Sequence, residues 1–366
     1  MRTLLAVICI TISATSFSQL TSTASGGNKK AFVGERIGLT DVTVHYDRPG
    51  VKGRDGKIWG DLVPVGFTNL GFGTSKSSPW RAGSNENTTI TFSTDVKVEN
   101  NDVPAGTYGV FMAYDPNETT IIFSKNSTSW GSYYYDDKED ALRFKVKPAQ
   151  TNESIEWLKY EFVNQTDSSA TIQLVWEKLS IPFKIQTDVT KTQIASFRKE
   201  LRSDKGFNWL GWNQAAQWCA QHNVNLDEAL LWSDSATSQT FGGNTQFQTY
   251  ATKAQILSLL GRDDEAATVI RNSMQYASML DIHFYGRQLL TANKKEQAFD
   301  IFKANLAKYP KQFTTMMGMA RGYSAMGDYK NALKYAQQAQ PMAPDNLNKQ
   351  AVDTAIGKLR EGKDMN

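Results

Sequence analysis

GRQLLTANKKEQAFDIFKANLAKYP (286–310) and ARGYSAMGDYKNALKYAQQAQPMAP (320–344) are two copies of one pattern. Gly286, Asn293, Ala298 and Phe302 are spaced 7, 5 and 4 residues apart, and Ala320, Gly327, Ala332 and Ala336 repeat that spacing. Pro310 recurs as Pro344, and Ala254, Gly261, Ala266 and Ile270 form a further copy upstream. Small side chains at fixed places let two helices approach closely, Gly or Asn turns the chain between them, and Pro ends the second helix. The spacing therefore predicts stacked antiparallel helix pairs over residues 191–346, with 347–366 as a last helix or tail. Phe207–Ser238 reads as a degenerate earlier copy whose second helix opens at Asn225-Leu226-Asp227-Glu228-Ala229. Trp209, Trp212, Trp218 and Trp232 lie at helical intervals and read as core of this first pair.

The repeat resembles the tetratricopeptide repeat, whose consensus carries small residues at those three places and a terminal proline, although the bulky residues near each repeat start are mostly missing. Stacked hairpins leave a concave groove lined by the first helix of each pair. His283, Arg287 and Leu290 would share one helical face there, and Met317, Arg321 and Ser324 its counterpart one repeat later. Arg287 and Arg321, 34 residues apart, should lie side by side, with Gln255 at the matching place before them. Two guanidiniums with no acid on that face suit a carboxylate or an acidic peptide. The alternative is a solvated charged face neutralised by acids of the adjoining helix.

Upstream, from about Ala31 to Thr187, the period changes to two. Asp41–Tyr46, Thr88–Phe92, Tyr108–Tyr114, Thr119–Phe123, Leu142–Val146, Trp157–Val163, Thr171–Trp176 and Pro182–Ile185 alternate, with Gly, Pro, Asn and Asp between them. This predicts an antiparallel β-sandwich over residues 31–187 and, for the whole chain, an α+β multidomain protein. Gly66–Pro79 (GFTNLGFGTSKSSP) fits neither period and reads as a long surface loop.

Composition bounds the function. The 366 residues carry 40 Lys+Arg against 37 Asp+Glu, a net charge of +3, which argues against nucleic acid as partner. Two cysteines leave no disulfide framework or multi-cysteine zinc module. Arg2 followed by Leu4–Ile10 and small residues up to Ser18 has the form of a cleaved leader over residues 1–18, too short to span a bilayer. No later apolar run reaches transmembrane length. Removing that leader leaves one thiol, Cys219, expected in the core of an exported, periplasmic or secreted protein.

Several motifs occur in order: IGLTDVTVHYDRPGVKGR (37–54), IWGDLVPVG (58–66), PWRAGSNENTTITFSTDVKV (79–98), PAGTYGVF (104–111), SWGSYYY (129–135) and WEKLSIPFKI (176–185). They resemble the DUF2911 family of exported Bacteroidetes proteins, and GWNQAAQWCAQHNVNLDEAL (211–230) resembles its long members with helical repeats. The resemblance implies export and the domain boundaries, and it brings no catalytic residues because the family's function is unknown.

Chemistry-bearing patterns are sparse. His45, His222 and His283 form no HExxH and no i,i+4 pair, so no metal or cofactor is expected. No GxSxG elbow is present, and GFGTSK (71–76) lacks the spacing and following helix of a phosphate loop. Trp80-Arg81-Ala82-Gly83-Ser84-Asn85-Glu86 sets an Arg fork, an amide and a carboxylate within a few residues, enough to hold a polar ligand. An Arg81–Glu86 ion pair, with Asn85 turning the chain, is the structural alternative. Arg48 and Arg54 make a second polar cluster. Asp47, Asp61 and Glu86 are available as paired acids for glycoside hydrolysis, with no spacing that selects them. Asp136–Asp140 reads as a solvated acidic turn, and Trp130 with Tyr133–Tyr135 as sugar-stacking surface if exposed, or core if alternate rings bury. The expected function is that of a non-catalytic binding scaffold for a protein or peptide; the alternative is a carbohydrate-active hydrolase or glycan-binding module.

Overall fold

The computed structural model describes residues 27–366, so the leader read over residues 1–18 lies outside the described residues. The chain divides into two compact units, one ending at Thr192 and one running Gln193–Asn366.

Among its described residues the first unit holds ten strands: β1 (Lys29–Ile37), β2 (Thr40–Arg48), β3 (Thr88–Phe92), β4 (Val96–Val98), β5 (Asn101–Val103), β6 (Gly106–Ala113), β7 (Thr119–Ser124), β8 (Asp140–Val146), β9 (Ala149–Val163) and β10 (Ser169–Gln186). They form two antiparallel sheets, in the orders β1-β2-β3-β6-β7-β8 and β5-β4-β10-β9. Alternation does the sorting. In β2 the even-numbered Val42, Val44 and Tyr46 turn inward, and in β3 Ile90 and Phe92 do so. They share one apolar core with Leu158, Tyr160, Leu174 and Phe183 of the second sheet, where Tyr46 meets Tyr160 at 4.9 Å and Phe123 meets Phe183 at 5.9 Å.

Three features depart from the alternation reading. β1 exposes most of its side chains, and β4 and β5 have three residues each, so none carries a clear period. The runs 171–176 and 182–185 are one strand, β10, bent by bulges about Glu177, which has φ 52°. Pro182 fits there because β10 pairs with β9 up to Ser180 and with β4 from Ile185, so no ladder N–H is required between them.

Ten α-helices follow. After α1 (Val189–Glu200) come four antiparallel pairs: α2 (Trp209–His222) with α3 (Leu226–Ala236), α4 (Phe247–Leu259) with α5 (Asp263–Ser273), α6 (Met279–Thr291) with α7 (Lys295–Lys308), and α8 (Phe313–Ala325) with α9 (Tyr329–Ala339). α10 (Asn346–Arg360) packs on α9. The predicted turn residues Gly261, Asn293 and Gly327 all take left-handed backbone, at φ 77°, 57° and 79°. Ala254, Ala266, Ala298, Ala320, Ala332 and Ala336 are buried, as the spacing requires. Gly286 marks a close approach of α6 to α7, since a Cβ there would lie 2.5 Å from the buried Phe302 ring. Successive first helices pack side by side, α2 on α4, α4 on α6 and α6 on α8. Trp232 and Cys219 share the core of the first pair, with Trp212 and Trp218 partly buried against it.

Candidate functional site

In the first unit, the segment from Trp80 to Thr88 leads into β3. Trp80 pairs its backbone with Met112, stacks its ring on Trp176 at 6.2 Å and donates Nε1–H to the Gly83 carbonyl at 3.1 Å. It is part of the packing. Ala82 and Asn85 take left-handed backbone (φ 51° and 55°), folding the segment tightly enough that Tyr160 and Thr88 donate to the Ala82 carbonyl at 2.9 and 3.1 Å. The expected Arg81–Glu86 ion pair does not form. Arg81 donates to the Asn85 carbonyl at 2.9 Å and lies 5.5 Å from the Trp130 ring centre, while Glu86 pairs with Lys30 of β1. Arg48 donates to the Leu158 carbonyl at 2.8 Å, and Arg54 to the carbonyls of Val51 and Gly50 at 2.9 and 2.7 Å, so both guanidiniums brace backbone.

Among the three carboxylates considered for hydrolysis, Asp47 and Glu86 come near one another and Asp61 is an exposed turn residue. Asp47 is buried, and burial raises its pKa despite the Lys30 charge. Its Oδ1, the Ser84 hydroxyl and the Asn87 Oδ1 are buried without a hydrogen-bond partner. His45 is exposed and stacks on Phe32 at 5.5 Å. No group of three or more His, Cys, Asp or Glu side chains among the described residues is arranged to hold a metal ion.

A second locus in this unit joins two stretches that the sequence reading took separately, the 66–79 loop and the Trp130–Asp140 stretch of rings and acids. The 66–79 loop lies against the 129–139 segment, where Ser75 donates its N–H to the Tyr133 carbonyl at 3.0 Å. Between them opens a cavity of about 460 Å³ lined by Phe67, Thr74–Ser77, Tyr135–Asp137 and Arg143. Arg143 pairs with Asp140, donates to the Tyr135 hydroxyl at 2.7 Å and lies 5.6 Å from the Phe67 ring centre. Tyr135 donates to Asp140 at 2.9 Å, and burial together with that carboxylate pushes its phenol well above the ordinary range. Tyr133 and Tyr135 turn partly inward, Tyr135 against Phe111 at 5.3 Å, while Trp130 and Tyr134 stay exposed. A usable signal was present: Phe67, Leu70 and Phe72 are large apolar residues inside a Gly/Ser-rich loop.

In the second unit, α6 and α8 bring His283, Arg287 and Arg321 together as their 34-residue register requires, with Gln255 half-buried at the matching place on α4. His283 is buried with Nδ1 unpartnered. Burial, then the charges of Arg321 and Arg287, push its pKa down to about 4. Burial and Arg287 also hold the Arg321 pKa below its usual value. Arg287 is exposed.

The expectation that no acid shares this face is overturned. After α10 the chain returns across α8, where Ser324 donates to Asp364 at 2.6 Å and accepts the Met365 N–H at 3.0 Å. Arg321 donates to the Asn366 side chain at 3.3 Å, whose amide donates back to the Arg321 carbonyl at 3.1 Å. Met365 is buried in the cluster that includes Met317 and Leu359. The polar stripe is therefore open at Arg287 and Gln255 and covered at Arg321. Nothing in the tail's composition announces this, since three short residues carry no periodicity.

Among solved structures, the chain is similar to the tetratricopeptide protein YrrB, described as having an unusual peptide-binding site, at 12% identity over 46% of this chain and 86% of that one, with a TM-score of 0.28. The Cut9–Hcn1 hetero-tetramer of the APC/C matches at 14% identity over 47% of this chain and 33% of that one, TM-score 0.31. MamA from Desulfovibrio magneticus RS-1 matches at 15% over 43% and 95%, TM-score 0.27. No curated protein matches the sequence. Residues 28–185, nearly the full extent of the two sheets, match the family described as "Protein of unknown function (DUF2911)", the family whose motifs they resemble.

Proposed function

We propose that this is an exported, non-catalytic binding scaffold in which a β-sandwich carries a tetratricopeptide-like array, and that the array takes an extended acidic peptide along the face of its first helices. One observation carries the reading: α8 already holds the Asp-Met-Asn segment there, through Ser324, Arg321 and a buried methionine. Arg287, exposed beside it, supplies an unclaimed fork for a further carboxylate. The hydrolase alternative has weaker support, because Glu86 is tied to Lys30 and Asp47 is buried.

In-cell photo-cross-linking from the α6 face tests the proposal. It should trap a discrete protein partner, and R287E/R321E should remove that adduct while leaving the fold intact. An adduct pattern unchanged by the double reversal would refute it. Export is tested separately by N-terminal sequencing of the mature protein, which should begin close after Ser18.

A further inference from the structure

We propose that the cavity between the 66–77 and 130–143 segments, together with the exposed rings on those segments, is a saccharide-binding site. This concerns the first unit alone and stands apart from the peptide reading of the helices. The walls are pre-set. Thr68 and Ser78 exchange backbone hydrogen bonds at 2.9 and 2.8 Å, closing the loop on itself. At Gly73, with φ 75°, a Cβ would lie 2.3 Å from the Tyr133 carbonyl oxygen, so only glycine lets the two segments meet.

The lining is almost wholly hydrogen-bonding: Thr74, Ser75, Lys76, Ser77, Asp136, Asp137 and Arg143. About 460 Å³ lies within the range of small-molecule sites. Arg143 is held rigid by Asp140, Tyr135 and Phe67, the kind of support that keeps a donor fork aimed. Cations and carboxylates balance across the lining, which favours a polyhydroxy ligand over a polyanion.

On the same two segments stand Phe72, Trp130 and Tyr134, 63%, 60% and 57% exposed. They are linked through ring contacts, Phe72 with Tyr133 at 5.5 Å and Tyr134 at 6.3 Å, and Trp130 with Tyr133 at 6.1 Å. Large exposed rings joined through the half-buried Tyr133 mark a binding surface. A sugar presents a C–H face to such rings and hydroxyls to the polar lining at once.

The test uses the whole protein and saturation-transfer NMR with the neutral cello-, manno-, galacto- and chito-oligosaccharides at millimolar concentration. At least one should bind. F72A/Y134A, which changes only exposed rings, should weaken it about tenfold or more. K76A should weaken it while leaving thermal unfolding unchanged. Absence of transfer from every oligosaccharide would overturn the proposal, as would affinity unaffected by F72A/Y134A. Self-association that F72A/Y134A abolishes, without any saccharide bound, would instead assign the rings to a protein interface and overturn it.

Discussion

His283 is buried against Phe302 within the field of two guanidiniums, and its environment predicts a specific response to acid. Its pKa sits near 4 rather than the ordinary 6.5, so between those values the unfolded chain takes a proton that the folded chain refuses. Stability should therefore fall as pH drops from 6.5 to 4, by up to roughly 3 kcal/mol, with no contribution above 6.5. Urea unfolding at several pH values should show a shallower decline for H283Q, and identical slopes would contradict this assignment. Cys219 is a second buried group, its thiol pushed up to about 11 by burial and Glu228, so a thiol reagent at pH 8 should label it only after unfolding. Ser324 serves Asp364 and Met365 together. Replacing it by Ala should cost about 1 kcal/mol and speed amide exchange at Met365 by comparison with the rest of α8 and α10.

At the scale of elements, Phe302 on α7 is a wedge between α6 and α8. Added Cβ atoms at Gly286 and Gly318 would both strike its ring, at 2.5 and 2.9 Å. G286A should therefore destabilise by about 1–3 kcal/mol, although alanine is the better helix former. F302A should cost about 3–5 kcal/mol through the cavity it leaves. Thermal unfolding measures both, and a stabilised G286A would show that the pair has room. These helix pairs were legible because small residues at spacings of 7, 5 and 4 leave a mark in the chain itself. Strand β10 was only half legible, since a bulge at Glu177 shifts its alternation and makes one strand read as two. The Trp80–Glu86 segment was singled out by its residue types, but the partners of its side chains were not legible. Lys30, 56 residues from Glu86, takes the carboxylate that Arg81 was expected to hold. Long-range competition of that kind leaves no local signature.

For the molecule as a whole, the sheets and the helices are each built around cores of their own. Calorimetry should then resolve two transitions. G286A should lower one of them, and F123A, which empties a fully buried ring site contacting Phe92, Phe144 and Phe183, should lower the other. A single transition displaced equally by both variants would show that the units unfold as one. The segment Asp364–Asn366 has a further bearing on any binding measurement. A tethered occupant meets its site at an effective concentration in the millimolar range, whatever the dilution of the protein. An incoming ligand that needs Arg321 faces an admission threshold: weak visitors are turned away, and strong ones bind with their apparent affinity lowered by the displacement.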